Sequence, residues 1–87
     1  MPYVVIVYDV QAERTPKFLK YLRRYLEHVQ NSVFEGQLTE GTFTEVKSDL
    51  ESMLEPGESV ILYRMSSNDY VDRTVFGDDP MDDSQFL

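Results

Sequence analysis

The 87-residue sequence has no cysteine and only one histidine, His28. Without cysteine there can be no disulfide, no thiolate chemistry and no cysteine-based zinc site, which is typical of a protein in a reducing compartment. A metal ion would therefore depend mainly on oxygen ligands. Because His28 has no second histidine or cysteine to form a ligand set, we interpret it as a partly exposed residue at the end of a helix.

Long apolar runs are also missing, since no stretch approaches the roughly 18 residues that would cross a bilayer. The N-terminal residues, Met1 to Tyr8, enter an apolar run directly, without the basic leader of a secretory signal. We therefore expect neither secretion nor membrane insertion, and a cytoplasmic location.

Positive charge is scarce, because eight basic residues stand against sixteen acidic ones and give a formal net charge of −8. This balance argues against a general nucleic-acid binder. Five of the eight basic residues nevertheless fall within one short window, namely Arg14, Lys17, Lys20, Arg23 and Arg24. They predict either a surface that contacts phosphates without reading sequence or a solvated helix face paired with Glu13 and Glu27. The sequence shows no platform of interleaved aromatic residues, so readout of single strands is not expected.

Hydrophobic periodicity predicts alternating strands and helices. The predicted elements are a buried central strand over 2–8, an amphipathic helix over 15–27, one broken or two short strands over 28–38, a helix from a capping box at Thr42 to Leu54, and strands over 59–65 and 71–76. This order is the split βαβ pattern of an α+β, ferredoxin-like domain with an extra C-terminal strand.

We assign residues 1–76 to this domain and residues 77–87 to an acidic, flexible tail. The tail ends in an apolar pair, Phe86 and Leu87, which we interpret as anchors on a partner protein. A core this small favours a homodimer, and we expect the last strand to reach across to the partner's sheet.

Two motifs resemble a known family. Tyr8-Asp9 closes the first strand, and Val29-Gln30-Asn31-Ser32-Val33-Phe34-Glu35-Gly36 follows the first helix. Both are similar to motifs of the small CRISPR-associated endonuclease and adaptation protein family, the second core protein of CRISPR adaptation. The resemblance runs from Tyr3 to about Met65.

The resemblance implies a ferredoxin-like homodimer in which an aspartate from each subunit faces its mate across the dimer axis. On this basis Asp9 is the candidate catalytic and metal-binding residue, with Mg²⁺ or Mn²⁺ as the metal that suits oxygen ligands. The alternative is an aspartate that ends a strand or caps a turn. Tyr8, Ser32 and Phe34 are candidate interface or substrate-positioning residues. Packing at an interface is the favoured role of Tyr8 and Phe34, and closure of a turn is that of Ser32.

The expected function is that of a CRISPR adaptation protein that dimerises and scaffolds the adaptation integrase on captured double-stranded DNA, the protospacer, for spacer acquisition. Family members have also been described as metal-dependent endonucleases on RNA or double-stranded DNA. A further alternative is a toxin-like, metal-dependent endoribonuclease on the same fold.

Overall fold

Five strands and two helices form within residues 1–66 and 71–78, the part of the chain that the computed structural model describes. They are β1 (Tyr3–Asp9), a 3₁₀ turn (Ala12–Arg14), α1 (Thr15–Leu22), β2 (Glu27–Gln30), β3 (Val33–Gln37), α2 (Glu40–Met53), β4 (Ser59–Met65) and β5 (Val71–Gly77). The sheet is antiparallel, in the order β2-β3-β1-β4-β5. This is the predicted ferredoxin-like arrangement, with β5 added beside β4.

The central strand β1 has one covered face rather than the two that its apolar sequence predicts. Val4, Ile6 and Tyr8 are buried, whereas Val5 and Val7 between them are only partly buried. Successive side chains of a strand point to opposite faces, so the first set faces the helices and the second faces away from them. We call the second face of the sheet the open face.

Both helices pack on the same side of the sheet and complete one core. α1 contributes Phe18 and Leu22, and α2 contributes Phe43, Val46 and Leu50. Burial of each side chain of this size stabilises the fold by about 1.5–3 kcal/mol. Neither helix in the described ranges is long and apolar enough to cross a membrane.

Helix α1 ends at Leu22, five residues before the predicted end. A tight turn follows, in which the amide of Tyr25 donates to the carbonyl of Leu22, three residues earlier, over 3.0 Å. Leu26 still reaches the core, where a β-carbon on Gly36 would lie 3.0 Å from its Cδ2 atom. The helix stops because Glu27 must be extended to pair with Glu35, and sheet pairing here overrides the helical periodicity.

Helix α2 begins earlier than predicted. The Thr39 side chain caps it by accepting a 3.1 Å hydrogen bond from the amide of Thr42, so Thr39, and not Thr42, is the N-cap. The helix ends at Met53, close to the predicted end before Pro56.

The segment between the helices forms two short strands, which settles the alternative left open by the sequence. Asn31 and Ser32 make the turn between β2 and β3, and Asn31 has a φ of 45°. Asparagine tolerates this left-handed conformation better than most residues. The turn is joined to β1, because the amide of Tyr8 donates to the carbonyl of Ser32 over 3.1 Å.

Strand β5 confirms the predicted last strand. It pairs along its whole length with β4 of the same chain, from Met65 opposite Val71 to Ser59 opposite Gly77. Five residues separate the two strands in sequence, which is enough for them to fold back as neighbours. Because β5 is the edge strand of the sheet, its pairing with the partner's sheet stays a prediction.

A buried carboxylate joins several of these elements. The side chain of Glu58 is almost fully buried, and Arg14 binds both of its oxygens, with Nε 2.7 Å from Oε2 and Nη2 3.1 Å from Oε1. The amides of Gln11 and Glu55 donate to the same carboxylate over 3.3 and 3.0 Å. Arg14 also donates to the carbonyl of Met53 over 2.5 Å. We call these five residues the Glu58 hub.

Strand β5 reaches the hub through the backbone. The amide of Asp78 donates to the carbonyl of Glu58 over 3.2 Å. Gly77 has a φ of 83°, and a β-carbon there would lie 2.0 Å from the same carbonyl oxygen. Only glycine fits this contact.

The hydrogen bonds of Arg14, helped by the amides of Glu55 and Gln11, hold the pKa of Glu58 below its ordinary value of 4.5, although burial opposes this shift. A carboxylate with a lower pKa in the folded state stabilises the fold at pH values above its unfolded pKa. That stabilisation is lost as the pH falls through the folded pKa.

We therefore expect Glu58→Gln to lower the free energy of unfolding at neutral pH by about 1.5–3 kcal/mol, because the negative charge is lost and one acceptor oxygen becomes an NH2 group that cannot accept a hydrogen bond. The deficit should shrink as the pH falls from about 4.5 towards the lower folded pKa, because the carboxylate of the unfolded wild type is protonated first. Urea denaturation at several pH values measures both effects. Glu55→Gln is the control: its exposed carboxylate lies 3.2 Å from Arg14, and its loss should cost less than about 1 kcal/mol. Equal costs for the two variants would contradict the role given to the hub.

Candidate functional site

Asp9 ends β1 at an exposed position, on the same face of the sheet as Val5 and Val7. Residues 1–66 and 71–78 contain no group of three or more histidine, cysteine or acidic side chains close enough to hold a metal ion. The described part of one subunit therefore supplies no complete set of ligands around Asp9. The oxygen chemistry of this aspartate fits Mg²⁺ or Mn²⁺, but further ligands would have to come from a second subunit or from water.

Tyr8 and Phe34 lie inside the core of the subunit. Tyr8 is 2% exposed and Phe34 is 0% exposed. The Tyr8 ring stacks on Phe18 at 5.5 Å between centroids and on Phe34 at 6.2 Å. The prediction that Tyr8 and Phe34 line an interface or position a substrate is corrected, because alternation along β1 and β3 points both rings at the helices.

The hydroxyl group of Tyr8 is buried without a hydrogen-bond partner among the described residues. Burial raises the pKa of this tyrosine, and the nearby charge of Arg23 opposes the rise. The hydroxyl therefore stays protonated inside an apolar environment, where an unsatisfied polar group destabilises the fold.

Ser32 and His28 both serve the β2–β3 hairpin. Ser32 lies in the turn and its carbonyl binds the amide of Tyr8. His28 lies in β2 and not at the end of a helix, so that expectation is corrected. Its ring stacks on Phe34 at 4.7 Å between centroids, and its Nε2 lies 2.6 Å from the carbonyl oxygen of Asn31.

The five predicted nucleic-acid-binding residues divide into two groups. Arg14 is taken up by the Glu58 hub, so its guanidinium is not part of the exposed cationic surface. The other four are exposed on or directly after α1, and we call them the cationic surface: Lys17, Lys20, Arg23 and Arg24.

Arg24 lies on two aromatic rings, an arrangement that the sequence interpretation missed. Its guanidinium carbon is 5.8 Å from the centre of the Tyr21 ring and 5.5 Å from that of Tyr25. The rings are themselves 5.3 Å apart. The Tyr-x-x-Arg-Tyr spacing could have revealed this cluster, since residues three and four apart meet on a helical turn.

A surface depression of about 340 Å³ adjoins this cluster. Arg23, Arg24 and Tyr25 line it from the end of α1, and Glu27 and Gln37 line it from the neighbouring strands. Two of these five side chains are guanidinium groups and one is a carboxylate, so the depression offers net positive charge to an anionic ligand.

The open face of the sheet carries an aliphatic row across four strands. In register these residues are Val33, Val7, Ile61 and Val75. The next row holds Val5 and Tyr63 between Glu35 and Arg73. No helix within the described ranges covers this face, because both pack on the other side. The predicted anchors of the tail, Phe86 and Leu87, lie outside the described residues.

Comparisons with known proteins agree with the fold. A family model described as CRISPR associated protein Cas2 matches residues 1–73. The chain is 46% identical over 83 residues to the CRISPR-associated endoribonuclease Cas2 of Haloferax volcanii, and the match covers 95% of this chain and 96% of the relative.

Two further relatives extend the comparison. The CRISPR-associated endoribonuclease Cas2 of Methanosarcina acetivorans is 41% identical over 86 residues, covering 98% of this chain and 99% of that protein. A solved crystal structure of a Cas2 protein superposes with a TM-score of 0.72 at 36% identity, covering 92% of this chain and 91% of the other. The similarity therefore spans the whole ferredoxin-like domain.

We expect Tyr8→Phe to leave the free energy of unfolding unchanged or to raise it by up to about 1 kcal/mol, because it removes an unsatisfied buried hydroxyl. Tyr21→Phe is the matched control. It loses a hydroxyl that donates to Asp49 over 2.5 Å, and should lower stability by about 1 kcal/mol. Urea denaturation of both variants measures this. A clear loss of stability in Tyr8→Phe would show that its hydroxyl has a partner.

Proposed function

The chain belongs to the CRISPR-associated Cas2 family, and we propose that it acts in CRISPR adaptation as a dimer that scaffolds the adaptation integrase on captured double-stranded DNA. In this role it works in the cytoplasm, where a new spacer is acquired. The observation that carries the proposal is the separation of two surfaces on one small subunit. One is the apolar open face, and the other is the cationic surface at α1.

The open face supports dimerisation with a second copy. Three members of the aliphatic row, Val7, Val33 and Val75, are partly exposed in the single subunit, and Ile61 between them is buried. Monomers rarely leave a contiguous apolar surface of this kind in water. Two such sheets pack face to face with interdigitated side chains. Since Asp9 lies on this face at the end of β1, this packing would bring one carboxylate from each subunit towards the same interface.

The cationic surface supports contact with DNA. Lys17, Lys20, Arg23 and Arg24 are exposed, and they lie on the helical side of the sheet, away from the open face. Clustered lysine and arginine side chains neutralise phosphates without reading bases. Dimerisation therefore leaves this surface accessible, as a scaffold for DNA of any sequence requires.

A second candidate function is metal-dependent cleavage of RNA or double-stranded DNA, which is favoured by the name endoribonuclease that the curated relatives carry. Asp9 and its partner copy would hold Mg²⁺ or Mn²⁺. Such an ion, when bound, activates water and neutralises charge that develops on a phosphate. The family match over residues 1–73 favours both candidates over the toxin-like endoribonuclease.

We expect Val7→Glu to convert the dimer into a folded monomer, because it places a charge in the middle of the aliphatic row. Sedimentation velocity measures the oligomeric state, and circular dichroism checks the fold. Ser48→Glu adds the same charge at an exposed position of α2 and should remain a dimer. A dimer in both variants would show that the open face is not the interface.

Asp9→Asn separates the two candidate functions. As a scaffold, the variant should still dimerise, bind duplex DNA, co-purify with the integrase and support spacer integration in vitro. Any cleavage that depends on a divalent cation should be lost, because the amide is a poor ligand for Mg²⁺. Glu13→Gln, in the turn that follows Asp9, is the control for charge. Loss of integration by Asp9→Asn alone would overturn the scaffold proposal and favour the enzyme.

A further inference from the structure

We propose that Arg24 is a pre-positioned phosphate-binding residue of the cationic surface, and that Tyr21, Tyr25 and Asp49 are positioning residues that hold it. The inference rests on the proposed contact with nucleic acid and assigns unequal roles to its four basic residues. The phosphate would occupy the depression beside the tyrosines.

The two rings restrict Arg24 in a way that still allows it to bind. Its guanidinium lies over both tyrosines, at 5.8 and 5.5 Å from their centres. This cation–π contact involves the charge of the guanidinium and consumes none of its five N–H donors, which stay available to a phosphate. An arginine held in this manner presents its donors to a phosphate at a reduced cost in side-chain entropy.

The rings are held in turn by α2. The Tyr21 hydroxyl donates to Asp49 Oδ2 over 2.5 Å, and the Tyr25 hydroxyl donates to Glu45 Oε1 over 3.4 Å. Burial and the hydrogen bond to Asp49 raise the pKa of Tyr21, so it remains a donor at any physiological pH. The first contact is the short one, and Asp49 is therefore the acidic residue that fixes the cluster.

The depression supplies a place for the phosphate. Arg23 and Arg24 both line it, and their two positive charges outweigh the one carboxylate of the lining, that of Glu27. One phosphate group between two guanidinium groups would receive charge-assisted hydrogen bonds from each. Lys17 and Lys20 lie one to two turns earlier on α1 and would contact neighbouring phosphates.

The test is binding of a fluorescein-labelled DNA duplex of mixed sequence, measured by anisotropy over a series of salt concentrations. Arg24→Ala should weaken binding and reduce the magnitude of the slope of log K against log salt by about 0.9, the value for one lost phosphate contact. Asp49→Ala should weaken binding about two- to tenfold and leave the slope unchanged, because Arg24 keeps its charge but loses its fixed position.

The sign of the Asp49→Ala effect is decisive. Removing a negative charge from the protein should by itself tighten binding to DNA. Glu51→Ala, the matched control, removes the same charge from an exposed position two residues away and should bind as the wild type does or more tightly. Tyr25→Leu, checked for folding by circular dichroism, should weaken binding in the wild type and have no effect when Arg24 is already alanine.

The outcomes separate this inference from the function on which it rests. If the wild type binds the duplex and Arg24→Ala reduces the slope, but Asp49→Ala behaves as Glu51→Ala does, Arg24 binds phosphate without being positioned and the inference is wrong. The same conclusion follows if Tyr25→Leu weakens binding equally with and without Arg24. If the wild type does not bind the duplex, the proposed contact with DNA fails and the inference fails with it.

Discussion

The ion pair between Arg14 and Glu58 is the interaction on which the rest of the structure depends. A carboxylate that is 2% exposed would be costly without partners, and here it has two bonds from a guanidinium and two from backbone amides. Those partners belong to the chain after β1, the start of α1 and the turn before β4. The pair thus fixes where α1 leaves the sheet, and with it the position of the cationic surface.

The order of elements could be predicted from the sequence because each is short and has a clear apolar pattern. The central strand, both helices and the last strand all lie close to their predicted positions. The end of α1 could not be predicted, since the residues after Leu22 keep a helical apolar pattern while Glu27 is committed to a strand. Pairing between strands decides where such a helix ends, and the local apolar periodicity carries no information about that pairing.

The candidate site was only partly predictable, for a similar reason. The exposure of Lys17, Lys20, Arg23 and Arg24 agrees with the amphipathic pattern of α1, but the capture of Arg14 depends on Glu58, 44 residues away in sequence. The tyrosine cluster under Arg24 depends likewise on Asp49, in the other helix. Sequence spacing identifies which residues share a helical face. It does not show which of them are neutralised or positioned by side chains that are distant in sequence.

The contact between Gly77 and the carbonyl of Glu58 has a consequence for the evolution of the chain. Every other amino acid carries a β-carbon, and at this position that atom would lie 2.0 Å from a backbone oxygen. Each single-base change of a glycine codon that alters the amino acid introduces such a carbon or a stop codon. No single-base change that replaces Gly77 therefore preserves the contact. A lineage that loses this glycine must also shift the backbone where β5 meets the start of β4.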